Sequence, residues 1–129
     1  MDRTFFGMAL IAGLGGFIGS GLRFAVTFWV QRLFTYSHFP YGTLTVNAVG
    51  CLLIGYIAGI AEARHILDPS MRIFLVVGIL GGFTTFSAYA FETFALAQEA
   101  QYLTATLNTV LQVVIGLGAA WLGFALAVR

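Results

Sequence analysis

Residues 78–93 concentrate hydroxyls, aromatic rings and one carboxylate where lipid would tolerate polar groups least. Thr84, Thr85, Ser87, Tyr89, Glu92 and Thr93 interleave with glycines and phenylalanines inside a long apolar run. Cys51, His38 and His65 form no nucleophile–base pair or metal-ligand set by spacing, so the chemistry to expect is ion binding and not bond making. Gly81-Gly82 followed by Thr84-Thr85 makes a poor continuous helix. Glycine costs roughly 1 kcal/mol against alanine in a helix interior, and threonine loses rotamer freedom there. Irregular backbone at membrane depth survives only inside protein or beside a wet cavity, and interrupted membrane helices recur as ion sites. The stretch therefore predicts a broken helix over Gly81–Ser87, with the functional site at the break. Phe86 and Tyr89 lie three apart, and Glu92 three further on, so the resumed helix carries them on neighbouring parts of one face. The two rings either pack or present electropositive edges to a small anion, a grip weak enough for the ion to leave again.

Other polar positions line up with this stretch. Thr43, Asn47, Cys51 and Gly55 recur at four-residue spacing, giving one small, polar face. Asn47 is then either glue between helices or a donor facing a pore. Asn108 and Gln112 are also four apart, with Gly116 continuing their row. Amides in hydrocarbon must find partners, either across a helix interface or along a hydrated track. Arg23 extends the Gly15–Gly19 row; it serves as a structural anchor or as an attraction for anions.

The elements that must position these residues are membrane spans. The 129-residue chain is 60% hydrophobic and 9% charged, against about a quarter charged in soluble domains, and its mean hydropathy is +0.94. Four apolar segments, 5–30, 43–61, 71–97 and 103–128, are long enough to cross a bilayer and form a single domain. Pro40 and Pro69 fall in the connections, where they can end or start a helix. An even number of spans puts both termini on one side. The first apolar segment is too long for a signal-peptide core and reads as a mature span. A net charge of +1 gives no footprint for nucleic acid, and a single cysteine excludes an internal disulfide. Small residues at Gly15, Gly19, Ala12, Gly16 and Ser20 offer faces for close helix approach.

Three motifs, Gly-Gly-Phe-Thr-Thr-Phe-Ser at 81–87 with Glu92, Gly-Thr-Leu-Thr-Val-Asn at 42–47 and Gly-Ser-Gly-Leu-Arg at 19–23, together resemble the bacterial fluoride channels (Fluc, also called CrcB). The resemblance covers all four spans. It implies an all-α membrane protein with a broken third helix, assembled as an antiparallel, dual-topology homodimer in the bacterial inner membrane. It implies two pores per dimer that export fluoride passively and a structural sodium ion at the dimer axis. By position, Asn47 resembles the pore amide and Phe86 the first pore phenylalanine. Gly81 and Thr84 match the positions whose backbone carbonyls hold the sodium. Thr43 and Ser87 are similar to hydroxyl positions near the ion path, and Arg23 and Glu92 match charged positions. The chain departs from the family pattern at Tyr89, in place of a second phenylalanine. It departs again along the fourth span, where Asn108, Gln112 and Gly116 stand in place of tyrosine and serine.

The physics agrees. Fluoride is small and strongly hydrated, so a pore must replace its water with amides, hydroxyls and ring edges, and a narrow pore excludes chloride by size. The chain has no phosphate-binding loop, as suits a passive pathway. The arginines pull the other way on topology. Arg3, Arg64, Arg72 and Arg129 fall on the side of the termini, with Arg32 alone among the connections opposite, which favours a single orientation. The alternative, a small proton-coupled multidrug exporter, depends on an acid in the first span, and residues 5–30 contain none. A passive assembly subunit would use the small-residue stripes for packing alone.

Overall fold

The computed structural model describes residues 3–64 and 67–129, with the side chains of Arg3 and Arg64 outside the description. The expectations placed on His65 and on those two arginine side chains lie outside the described residues. Helix α1 runs Arg3–Leu33 and α2 runs Tyr41–Arg64. A composite helix α3 covers 69–83, α4 runs Phe86–Gln98, and α5 runs Tyr102–Ala127. Four stretches, Thr4–Leu33, Tyr41–Ala63, Pro69–Gln98 and Tyr102–Ala127, are long and apolar enough to cross a membrane. Each contains or nearly coincides with an expected span, so the chain is an all-helical, multi-pass membrane protein.

Local chemistry sets the helix ends. Pro40 directly precedes α2, and Pro69 opens α3 behind Asp68, whose carboxylate accepts the Met71 N–H at 2.9 Å, a capping arrangement that satisfies an orphan donor. Between α1 and α2, Gln31 works in both directions. Its Nε2 donates to Phe39 O at 3.2 Å, and its Oε1 accepts from Gly42 N at 3.3 Å. One side chain thus ties the exit of α1 to the start of α2.

Helix α3 differs from expectation. After one α-helical turn at Pro69–Arg72 it becomes a π-helix over Ile73–Leu80, then returns to α geometry for Gly81–Phe83. The wider turn is rare and concentrates near functional sites. Against it packs the glycine row of α1. A Cβ on Gly15 would stand 2.6 Å from Phe74 O and 2.8 Å from Gly78 Cα; one on Gly19 would overlap Ile79 O. Gly82 meets Gly16 O in the same way, at 2.6 Å. These helices therefore touch backbone to backbone, the close approach that the small-residue stripe anticipated. A second seam of this kind joins α2 to α5, where Gly55 faces Ala120 O and Gly123 faces Leu52 O.

Candidate functional site

The third span breaks at Thr84 and Thr85, both extended (φ −79°, ψ 159° and φ −152°, ψ 113°). This is narrower than the expected Gly81–Ser87, because Gly81–Phe83 still forms a helical turn and Phe86 and Ser87 already belong to α4. Thr84 keeps its backbone bond to Leu80 O at 2.9 Å and doubles it with its hydroxyl at 3.0 Å. Thr85 leaves the ladder. Its N–H donates to Asn47 Oδ1 at 2.8 Å, and its carbonyl accepts from Asn47 Nδ2 at 3.1 Å. The α2 carboxamide thereby acts on Thr85 as a neighbouring strand would, satisfying both backbone groups of that residue. The Thr85 hydroxyl then caps α4, accepting from Ala88 N at 3.2 Å.

Other helices close on the same point. Arg23 Nη1 of α1 donates to Thr84 O at 3.3 Å. Gln112 of α5 offers Oε1 to Asn47 Nδ2 at 3.0 Å. Thr43, one turn before Asn47, donates to Glu92 Oε1 at 2.6 Å. Glu92 Oε2 and Gln112 Nε2 are buried and have no partner among the described residues.

Two cavities meet at the break, and Thr85 borders both. The larger, about 970 Å³, is lined by Arg23, Arg32, Thr43, Ser87 and Glu92 among others. The smaller, about 430 Å³, is lined by Asn47, Gln112, Phe86, Tyr89, Gly81 and Thr84 with apolar neighbours. The residues singled out from sequence thus divide into a charged, hydroxyl-bearing chamber and an amide-and-ring chamber. Asn108 lines neither. It is fully buried and donates to Thr93 Oγ1 at 2.9 Å, tying α5 to α4. Of its two sequence readings, the structure displays the bond across a helix interface.

Tyr89 turns its hydroxyl to α5: OH donates to Thr109 Oγ1 at 3.4 Å, and Thr109 in turn donates to Ala105 O at 3.2 Å. Its ring meets Phe86 at 5.4 Å between centroids and 64° between planes, the edge-to-face arrangement aromatic pairs favour. Phe86 itself is 78% exposed, so no other described residue encloses it. From the sequence, Thr85 and Thr93 stand out only as hydroxyls of the 78–93 stretch with no role of their own, and Thr109 does not stand out at all. Thr85 was signalled by the hydroxyl doublet directly after paired glycines; for the other two, threonines on apolar helices, no signal distinguished them.

The break also bears on a cation. In an unbroken helix the Thr85 N–H would bond Gly81 O; here it goes to Asn47, which leaves the Gly81 carbonyl free of that donor. Gly81 is exposed, and a Cβ there would meet nothing nearer than Val76 O at 3.7 Å. Carbonyl oxygen suits a hard cation such as sodium. Gly81 O and Thr84 O, the latter shared with Arg23, are carbonyl oxygens of the kind such a cation takes.

Comparison with known sequences decides the relationship. A family described as "CrcB-like protein, Camphor Resistance (CrcB)" matches residues 10–124. The chain belongs to the CrcB family. Among relatives, a "Fluoride-specific ion channel FluC" of Methylobacillus flagellatus is 44% identical over 117 residues, covering 91% of both chains. One of the same name from Parabacteroides distasonis is 46% identical over 113 residues, covering 88% of this chain and 87% of its own. Another from Chlorobium chlorochromatii is 43% identical over 114 residues, with 88% and 87% covered. The CrcB match reaches into all four membrane-crossing stretches and includes the break and every residue lining the amide-and-ring chamber.

Proposed function

We propose that this CrcB protein is a fluoride-selective channel that lets fluoride leave the cytoplasm passively across the bacterial inner membrane. One observation carries the reading: two carboxamides and two aromatic rings line a single cavity of about 430 Å³ at an interrupted membrane helix. That lining suits an ion which must exchange a tight hydration shell for several weak, well-placed donors. A fixed positive charge there would hold the ion; ring edges and amides release it. The charged chamber, with Arg23 and Arg32 in its wall, concentrates anions ahead of the ring chamber. Thr43 and Ser87 supply hydroxyls on that side. Since hydrogen fluoride enters cells as a neutral acid and ionises inside, the membrane potential is enough to drive the anion out.

The working unit in this reading is an antiparallel homodimer with two pores. The exposed Phe86 and Gly81 support it: a second copy would enclose the ring and bring another pair of carbonyls to Gly81 O and Thr84 O. Sodium bound there supplies the positive charge that holds the carbonyls of two copies together. Arg23, already on Thr84 O, fixes that carbonyl's direction, and Glu92 anchors α4 to α2 through Thr43.

The deciding measurement is efflux from liposomes carrying the purified protein, read with a fluoride electrode and then a chloride electrode. Fluoride efflux with little chloride efflux is the expected result. Comparable rates for both ions would refute the proposed selectivity, and no ion movement would favour a passive assembly role. Cysteine-accessibility mapping in cells tests the dimer separately: labelling from both sides is expected, and a uniform orientation refutes the antiparallel arrangement.

A further inference from the structure

The charged chamber is larger than one small ion needs, and a single helix gives it length. Arg23, Phe24, Thr27, Phe28, Gln31 and Arg32 all line it, and their spacing of three and four residues puts them on one face of α1. The two arginines end this row, nine residues apart, which is about 13 Å along a helix axis. Phe24 and Phe28 lie between them as near-parallel rings, 6.2 Å between centroids and 21° between planes. The wall is therefore an aromatic strip with a guanidinium at each end.

Much of the remaining polar lining is already engaged. Gln31 bridges to Phe39 and Gly42, the Thr35 hydroxyl donates to Arg32 O at 2.6 Å, and Thr43 donates to Glu92 Oε1. Glu92 is the one acid in this lining, and its Oε2 is buried. Arg23 gives Nη1 to Thr84 O at the deep end. Arg32 is exposed in the last turn of α1, its guanidinium carbon 5.9 Å from the ring centroids of both Phe28 and Trp29. The rings attract the cation, and its planar fork matches a carboxylate in two parallel hydrogen bonds.

The geometry points to a binding site for an elongated aromatic dianion, with one carboxylate on Arg32 at the rim, the other toward Arg23, and the flat body along Phe24 and Phe28. The volume of about 970 Å³ lies near the top of the ~300–1,000 Å³ that small-molecule pockets span. Two guanidinium groups select two negative charges at opposite ends of the ligand. The rings favour an aromatic body over an alkyl chain, and a stiff body loses little freedom on binding. Thr85 borders this chamber and the ring chamber alike, so an occupant stands across the way between them and should stop fluoride. That blocking effect rests on the channel reading above; the binding does not.

The probe is trans-stilbene with a carboxylate at each para end, compared with the same body carrying one carboxylate. Trp29 beside Arg32 is one of two tryptophans, so in Trp121→Phe its emission reports on the rim alone. Titrated into purified protein, the diacid is expected to quench Trp29 saturably and to bind at least about tenfold tighter than the monoacid, the difference made by one charge-assisted contact. Arg32→Gln is expected to lower the diacid to the monoacid's affinity. Equal affinities for the two compounds, quenching that never saturates, or a diacid affinity unchanged in Arg32→Gln overturns the site, since the stilbene is then only partitioning into apolar surroundings. Calorimetry on wild-type protein repeats the comparison of the two compounds with no substitution, should either variant fail to fold. Liposome efflux separates the second claim. If wild type passes no fluoride, the channel reading fails and the binding result stands by itself. If it does pass fluoride, saturating diacid should slow efflux at least about tenfold, and undiminished efflux overturns the chamber's place on the ion's route.

Discussion

Where α1 crosses residues 73–80, backbone meets backbone and no side chain intervenes; where the same span breaks at Thr84–Thr85, side chains from two other helices come to meet the backbone. At the first region Gly15, Gly19 and Gly78 remove every atom that would hold the helices apart, and the fit is complete within one chain. At the second, Asn47 and Arg23 take up backbone groups, and the fit is left open. Among the described residues Glu92 Oε2 and Gln112 Nε2 have no partner, and Phe86 stands outward. Glycine contact makes a close-packed floor, and the polar contacts set on that floor leave buried polar atoms unpaired among the described residues.

The strongest way to break this contrast is to put a side chain into the floor. Gly19→Leu forces a Cβ onto Ile79 O and within 2.8 Å of Phe83 N. Overpacking against backbone exceeds the usual cost of about 1–3 kcal/mol, so the expected outcome is loss of the monodisperse peak in size-exclusion chromatography. A normal profile would mean that α1 and α3 are not in contact as described. Phe86→Ile acts on the open region and should do the opposite: elution unchanged, fluoride efflux lowered at least about tenfold because the ring edge is gone. Unaltered flux would reduce Phe86 to packing.

Asn47→Asp lies between the two regions. It keeps the acceptor for Thr85 N–H but sets a carboxylate oxygen against Thr85 O and Gln112 Oε1. Both efflux and thermal stability should fall, the latter by about 1–3 kcal/mol for buried groups left unpaired, read as a lower melting temperature in detergent. Wild-type stability would show that the clamp at Thr85 is dispensable. The smallest effect is expected at Gly13, in the same helix as Gly19 but with nothing within 4 Å of a Cβ. Gly13→Ala should leave stability unchanged or raise it by up to about 1 kcal/mol. A marked loss there would reveal a surface pressed against a second copy.

Much of this was legible in the sequence, for reasons that differ by region. Four apolar runs bounded by Pro40, Asp68-Pro69 and polar connections gave the spans to within a few residues, since bilayer thickness fixes helix length. The Gly15–Gly19 row announced close approach because its spacing matches one helix face. The broken third helix was visible as Gly81-Gly82 and Thr84-Thr85, yet its width was overestimated. Glycine permits a break without requiring one, and the actual site depends on Asn47 lying across from Thr85. The π-helix over Ile73–Leu80 left no trace in a uniformly apolar stretch. Asn108 and Gln112 share a stripe and looked equivalent. Only packing separates them, with Thr93 meeting the first and Asn47 the second.

The clamp on Thr85 also orders events during membrane insertion. The break is held by groups of α1 and α2 beside its own Thr85 cap, so residues 69–98 entering the bilayer by themselves lack most of what holds it and should pass through as one helix. The kink must then arise after docking, as Asn47 exchanges places with the Gly81 carbonyl on the Thr85 N–H. A peptide of residues 69–98 in micelles should accordingly show amide protection running straight through Thr85, and that protection should change hands only in the full chain.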